Sequence, residues 1–181
     1  MDPVSGTNDD GNFVQSGLVA CGGALFGSTR LGGYYGSGVL FAVRMADSAY
    51  TVLRHFTATT NNNGQTFVNS DGAEPGPLTL YSGTLYGATE KGGSTGAGTL
   101  FGLNIAPRID LSGDGSRMGP GGFGFNIVGY SNQVVSVEAS TQLAPTSWQP
   151  LITNTIGGGP VHFVDMDATN YPNRFYRLEA Q

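Results

Sequence analysis

A short acidic run beyond the middle of the chain has the residue types that bind calcium. Asp110, Ser112 and Asp114 alternate and are followed by Gly115, which gives the pattern D-x-S-x-D-G. Oxygen ligands at alternate positions around a tight glycine turn are what Ca²⁺ requires, and this pattern is the first half of a calcium loop. The twelfth position, where an EF-hand has a bidentate Glu, is Gly121. The sequence predicts either a calcium site at Asp110, Ser112 and Asp114 or a solvated turn, and the turn is the simpler interpretation.

Acidic and amide side chains also recur in two glycine turns. Residues 8–10 read Asn-Asp-Asp before Gly11, and Asn69, Asp71 and Glu74 surround a second turn. Carboxylates at one end of a β-propeller can hold Ca²⁺ and polarise an ester or lactone carbonyl. In the alternative interpretation these are Asx turns, in which the side chain caps its own backbone. We prefer the turns, and keep Asp71 and Glu74 as candidate ligand-binding residues.

Two adjacent tyrosines are the candidate aromatic ligand site. Tyr34 and Tyr35 lie in a glycine-rich segment, which predicts that their rings are exposed. Tyrosine combines an apolar face with a polar tip and suits the stacking of carbohydrate rings. Trp148 is predicted to anchor the core of the C-terminal region instead. The sequence therefore offers Tyr34 and Tyr35 as a sugar-stacking surface, to which Tyr81 and Tyr86 could also contribute.

Residues 92–96 match the G-x-S-x-G nucleophile elbow of hydrolases. A true elbow joins a strand to a helix and works with a distant acid and histidine. No helical pattern follows Ser94, and the sequence gives neither a partner nor a pocket for His55 or His162. We therefore interpret the segment as a glycine turn and both histidines as structural.

The composition predicts an all-β protein. Glycine occupies 30 of 181 positions and charged residues only 12%, against about 25% in ordinary domains. Because glycine is costly in helices and favoured in tight turns, many short strands are expected. The net charge of −5 and the scattered arginines predict no binding to nucleic acid. No apolar run approaches the roughly 20 residues of a membrane helix, so we expect no membrane insertion.

An internal repeat dominates the first half of the chain. Residues 25–43 and 85–103 align without a gap, and five of their identical positions are glycine. Each copy predicts a hairpin whose turn needs glycines with positive φ, and residues 50–56 predict a further strand. Four strands in about 60 residues are typical of one β-propeller blade, and the chain holds fewer than two full blades. Unpaired blade edges favour a homo-oligomer formed through those edges.

The remaining chain predicts a linker and a second module. Residues 1–105 form the two repeats, residues 106–121 read as a Gly/Pro linker, and residues 122–181 predict a small β-sandwich. Five strand-like runs support the sandwich, at residues 123–128, 134–139, 148–152, 161–164 and 175–178.

The repeat has a recognisable pattern. The sequence L-[FY]-G-x-T-x-x-G-G-x-x-G-x-G-x-[LV]-F, followed by YTVLxxF and DGAxP, resembles the GloVer tandem repeats of large surface-exposed bacterial proteins. The C-terminal region resembles an accessory or anchoring module of secreted proteins from environmental bacteria. These resemblances imply propeller-like blades and an extracellular or cell-surface location. The chain begins without a signal-peptide pattern, so the protein stays inside, has lost a signal, or is a piece of a longer chain.

Two classes of function follow from these observations. The first is an extracellular or surface-associated binding and structural module, with a glycan or another small molecule as ligand. The second is a calcium-dependent hydrolase of propeller type that acts on a lactone, an ester or a glycoside. We prefer the first because the sequence shows no acid and base set, and calcium is the one cofactor that it suggests.

Overall fold

The protein is built almost entirely from β-strands. A computed structural model describes residues 8–14, 17–62, 66–112, 117–144 and 147–181. Apart from one short 3₁₀ turn, every regular element in these ranges is a strand, which confirms the all-β prediction. None of the sheets formed by the described residues closes on itself, and none of these residues belongs to a helix long and apolar enough to cross a bilayer. The chain divides into two compact units, Met1–Asn104 and Ile105–Gln181.

The described residues of the first unit form three antiparallel sheets. Its strands are β1 Asn12–Val14, β2 Val19–Cys21, β3 Ala24–Leu31, β4 Val39–Arg44, β5 Tyr50–His55, β6 Thr60–Asn62, β7 Thr66–Val68, β8 Ala73–Tyr81, β9 Thr84–Lys91 and β10 Leu100–Asn104. In the first sheet β3 pairs with β4, β4 pairs with β5, and β1 and β2 share the other edge of β3. The second sheet has the order β10–β9–β8, and β6 pairs with β7.

The two sheets that carry the sequence repeat have the same register. Gly27 lies opposite Phe41 in the first sheet, and Gly87 lies opposite Phe101 in the second. A Cβ at either glycine would come within 2.5 Å of the facing phenylalanine ring. The repeated glycines are therefore required by the close approach of the aromatic side chain across the hairpin.

The equivalence extends upstream of the hairpins. Val14 of β1 pairs with Thr29, and Pro75 of β8 pairs with Thr89. The single long strand β8 thus takes the place that β1 and β2 occupy together in the first sheet. We call residues 8–56 the first repeat and residues 69–104 the second repeat.

The second repeat packs on the first through β8. The Ser28 hydroxyl in β3 donates a 2.7 Å hydrogen bond to the carbonyl of Gly76 in β8. Next to it, the backbone N–H of Glu74 donates to the carbonyl of Ser37 over 3.0 Å. These bonds fix the position of the second sheet on the first.

In the second unit, the residues that the structure describes form two antiparallel sheets. Its elements are β11 Arg108–Asp110, β12 Met118–Gly119, β13 Gly122–Val128, β14 Val134–Ser140, β15 Gln149–Thr155, β16 Val161–Asp165, a 3₁₀ turn at Met166–Asn170, and β17 Phe175–Ala180. In one sheet β13 lies between β16 and the pair β11 and β12, and the other has the order β15–β14–β17. Side chains of both sheets, together with one from the loop after β15, form one buried cluster. Its members are Phe125, Ile127, Val135, Val137, Ile156 and Phe163.

The predicted strands of this unit are confirmed within three residues at each end. The structure differs in the range predicted as a linker, residues 106–121, because β11 and β12 lie inside it. Both pair with β13, and Ile109 of β11 packs against the buried cluster. The partner strand and the core stabilise these short segments, despite a local composition rich in glycine and proline.

Candidate functional site

Tyr34 and Tyr35 form an exposed aromatic pair at the turn between β3 and β4. The Tyr34 side chain is 72% exposed and that of Tyr35 is also exposed. Their ring centroids are 4.9 Å apart with an interplanar angle of 84°, which is the favourable edge-to-face arrangement. The prediction that both rings face solvent is confirmed.

The backbone of this turn is held from two sides. Gly36 N–H donates to the carbonyl of Gly33 over 3.1 Å, and Gly33 itself has a φ of +74°. The N–H of Tyr34 donates to Nδ1 of His55, at the end of β5, over 3.0 Å. His55 therefore has a structural role that the sequence did not locate: it fixes the turn that presents Tyr34 and Tyr35. In the second repeat, Ser94 and Thr95 take the place of the two tyrosines.

Asp71 lies near His55, the residue that holds this turn, and its carboxylate is neutralised by an ion pair with Arg54. Nη2 of Arg54, the residue before His55 in β5, is 3.1 Å from Oδ2 of Asp71. Both the N–H and the hydroxyl of Thr57 also donate to the carboxylate. Burial works to raise the pKa of Asp71, but the hydrogen bonds from Thr57 and Arg54 outweigh it, and the pKa lies below its ordinary value.

Glu74 is likewise an internal counter-ion. Its carboxylate binds Arg30 of the first repeat at 2.6 Å and Lys91 of the second repeat at 2.8 Å. Burial works to raise the pKa of Glu74, but the bonds from Lys91 and Arg30 hold it below its ordinary value. Glu74 also lines a cleft of about 160 Å³ together with Gly36 and Ser37 of the tyrosine turn. The structure therefore places Asp71 and Glu74 beside this turn and uses both carboxylates to join the repeats.

The Asn69 side chain caps nearby backbone groups, although its bond reaches the third residue along the chain and not the second, as in the Asx turn that the sequence suggested. Its side-chain oxygen accepts from the N–H groups of Gly72, at 2.8 Å, and Gly93, at 2.9 Å. Its amide nitrogen donates to the carbonyls of Thr57 and Gly72. The side chain therefore satisfies backbone groups at the junction of the two repeats.

The predicted calcium loop is described only in part. Asp110 ends β11, and its Oδ1 accepts a 2.9 Å hydrogen bond from the N–H of Ser112. Hydrogen bonds from Ser112 lower the pKa of Asp110. Asp114 lies outside the described residues. Within the described ranges, no three His, Cys, Asp or Glu side chains come together in a way that could hold a metal ion, and the calcium site at Asp110, Ser112 and Asp114 stays a prediction.

The G-x-S-x-G segment is a turn between two strands. Ser94 is exposed between β9 and β10, and the structure continues as a strand where a nucleophile elbow continues as a helix. The same backbone occurs in the first repeat without a serine, since Gly32 and Gly92 both have a φ of +76°. This confirms the interpretation of the segment as a structural turn.

A cleft in the second unit was not found from the sequence. It has a volume of about 580 Å³, and Gln149, Asp167, Tyr171 and Arg174 are among its lining residues. The Arg174 guanidinium lies 4.3 Å from the centre of the Tyr171 ring and binds Asp165. The sequence feature that belongs to this cleft is Asn-Tyr-Pro-Asn-Arg at residues 170–174. Nothing in this segment indicates which strands lie beside it.

No protein-family model, no curated protein and no solved structure matches this chain.

Proposed function

We propose that this protein is a GloVer-type repeat module at the bacterial cell surface or outside the cell, and that it binds a glycan through Tyr34 and Tyr35. The observation that carries this proposal is the exposed edge-to-face tyrosine pair on a turn fixed by His55. Exposed tyrosines on a fixed backbone lose little conformational entropy on binding, which favours affinity for flat, partly apolar ligands.

The charges around the pair support a neutral ligand. Asp71, Glu74 and Glu90 form ion pairs with Arg54, Arg30 and Lys91, so these six side chains, three acidic and three basic, already compensate one another. A sugar ring offers an apolar face for stacking and hydroxyl groups for the two phenol groups. A neutral sugar therefore matches the tyrosine pair better than an anion or a cation does.

A binding role also suits the state of the carboxylates. A general acid that works near neutral pH needs a raised pKa, whereas the pKa values of Asp71 and Glu74 are both lowered. Moving either carboxylate toward a substrate would break its ion pairs. We therefore assign these two residues to the architecture of the module and the tyrosines to its ligand.

Affinity electrophoresis with a panel of soluble neutral polysaccharides tests this proposal. We expect at least one of them to retard the protein, and the double change Tyr34→Ala, Tyr35→Ala to weaken that binding at least tenfold, which corresponds to about 1.4 kcal/mol. Tyr81→Ala removes another exposed tyrosine and is the matched control, with binding retained. The proposal is wrong if no neutral polysaccharide binds, or if the double variant binds as well as the wild type.

A further inference from the structure

Equivalent side chains of the two repeats differ completely in exposure on one face. Leu40 of β4 is 0% exposed, whereas Leu100, the identical residue at the equivalent position of β10, is 89% exposed. Phe26 of β3 is buried, and its counterpart Tyr86 of β9 is exposed. The same face of the repeat is thus covered in the first copy and open in the second.

The opposite face shows the reverse pattern. Leu78 of β8 is 7% exposed and Pro75 is fully buried in the second repeat. Their counterparts in the first repeat, Leu18 and Val14, are 48% and 62% exposed. These two positions are covered in the second copy and open in the first, whereas Val39 and Phe41 on the same face are buried within the first sheet.

The junction inside the chain explains both patterns. There, the covered face of the second repeat meets the covered face of the first, with β8 lying against β3. We call the face with Leu40 or Leu100 the receiving face, and the face with Leu18 or Leu78 the docking face. The internal junction buries the receiving face of the first repeat and the docking face of the second. The receiving face at Leu100 and the docking face at Leu18 and Val14 therefore remain exposed.

The phenylalanine on the docking face has a different neighbour in each repeat. At the internal junction, Phe56 of the first repeat lies against Phe101 of the second, with ring centroids 5.2 Å apart. In the first repeat, the equivalent Phe41 stacks on Tyr50 of the same sheet, with ring centroids 5.3 Å apart, and both line a cleft of about 540 Å³ together with Val14.

We propose that a second copy of this chain docks head to tail, with its docking face at Val14 and Leu18 on the receiving face at Leu100 and Tyr86. The internal junction is the template, because each open residue occupies a position that is buried there. Such a contact is heterologous, because it joins two different surfaces of the same chain. It can be repeated from copy to copy, and it ends only if the copies close into a ring.

The contact between copies differs from the internal junction in its charges. Phe13 takes the place of Glu74, with φ values of +58° and +57°, and Glu90 takes the place of Arg30. The ion pair of Arg30 with Glu74 therefore has no counterpart between copies. An apolar contact without that pair is expected to depend little on salt, since screening acts on charges.

Sedimentation velocity of the full chain across a range of concentrations tests the proposal. We expect the wild type to assemble as its concentration rises, and both Leu100→Glu and Val14→Glu to remain monomeric. Both positions are exposed, so an unchanged melting temperature at low concentration verifies that each variant is folded. Met45→Glu, at an exposed site in the turn between β4 and β5, is the matched control and should assemble like the wild type.

Mixing the two monomeric variants distinguishes a head-to-tail contact from a symmetric one. The Leu100→Glu variant keeps its docking face, and the Val14→Glu variant keeps its receiving face, so an equimolar mixture should form a one-to-one dimer. A monomeric wild type overturns the proposal, and so does a mixture that stays monomeric. Assembly of either variant alone also overturns it, because a symmetric contact would then suffice.

Discussion

Arg54 in the last strand of the first repeat binds Asp71 at the start of the second repeat, with 3.1 Å between Nη2 and Oδ2. Thr57, which follows the same strand, donates to the same carboxylate through its N–H and its hydroxyl. Asp71 thereby ties the end of β5 to the turn before β8. The connection lies beside the contact between β3 and β8, so the two repeats are joined at two places.

Replacing Asp71 by Asn should destabilise the protein by about 1–2 kcal/mol, because a partly buried charged hydrogen-bond acceptor is lost while its donors remain. Urea denaturation followed by circular dichroism measures this change. Asp47→Asn is the control, since it removes the exposed partner of Arg44 in a local ion pair and should have a smaller effect. Equal effects of the two changes would contradict the role of Asp71 as a junction residue.

The same variant should alter the response of stability to acid. The pKa of Asp71 is lowered in the folded state, so its contribution is complete above the unfolded-state value of about 3.9 and is lost as the pH falls through the folded-state value. We expect the wild type to lose melting temperature as the pH falls below about 4, and Asp71→Asn to lose less over the same range. Parallel curves for the two proteins would show that Asp71 is not one of the groups responsible.

The glycine turns provide a second test of the architecture. Gly93 has a φ of +74°, and a Cβ there would lie 2.8 Å from the carbonyl oxygen of Gly98. Gly93→Val should therefore cost at least about 1–2 kcal/mol, the usual penalty of a side chain in the left-handed region. Ala97→Val, at an exposed position of the same turn, should change the melting temperature little. Equal melting temperatures of the two variants would contradict a fixed turn.

The hairpins could be predicted from the sequence because their geometry depends on residues close in the chain. Gly33 and Gly93 are repeated since both hold the same positive φ, and the strands on either side follow from that turn. The strands β11 and β12 could not be predicted, because β13 and the core stabilise them. Local composition contains no information about such distant partners.

The roles of the charged and aromatic residues were predictable to different extents. Exposure of Tyr34 and Tyr35 followed from their place in a glycine turn. The ion pairs of Glu74 did not, since Arg30 lies 44 residues away and meets Glu74 only when the repeats stack. Nor does the leucine itself distinguish Leu40 from Leu100, because equivalent positions acquire different exposure when a neighbour covers only one of them.

The predicted calcium loop can be tested through stability. If Asp110, Ser112 and Asp114 bind Ca²⁺, millimolar calcium should raise the melting temperature by mass action, with about 1.4 kcal/mol of stabilisation at ten times the dissociation constant. The double change Asp110→Ala, Asp114→Ala should abolish the rise, and magnesium serves as the control ion. An unchanged melting temperature of the wild type in calcium would contradict the site.

The stacking of the repeats is tested most directly by one comparison of unfolding free energies, for Leu40→Ala and Leu100→Ala. Both changes remove the same side chain from equivalent strands, and the measurement is made at a protein concentration where the chain is monomeric. We expect Leu40→Ala to cost about 2–5 kcal/mol, as for a buried leucine, and Leu100→Ala to stay within about 0.5 kcal/mol of the wild type. Equal losses for the two variants would contradict the account, because the second repeat would then not cover the first.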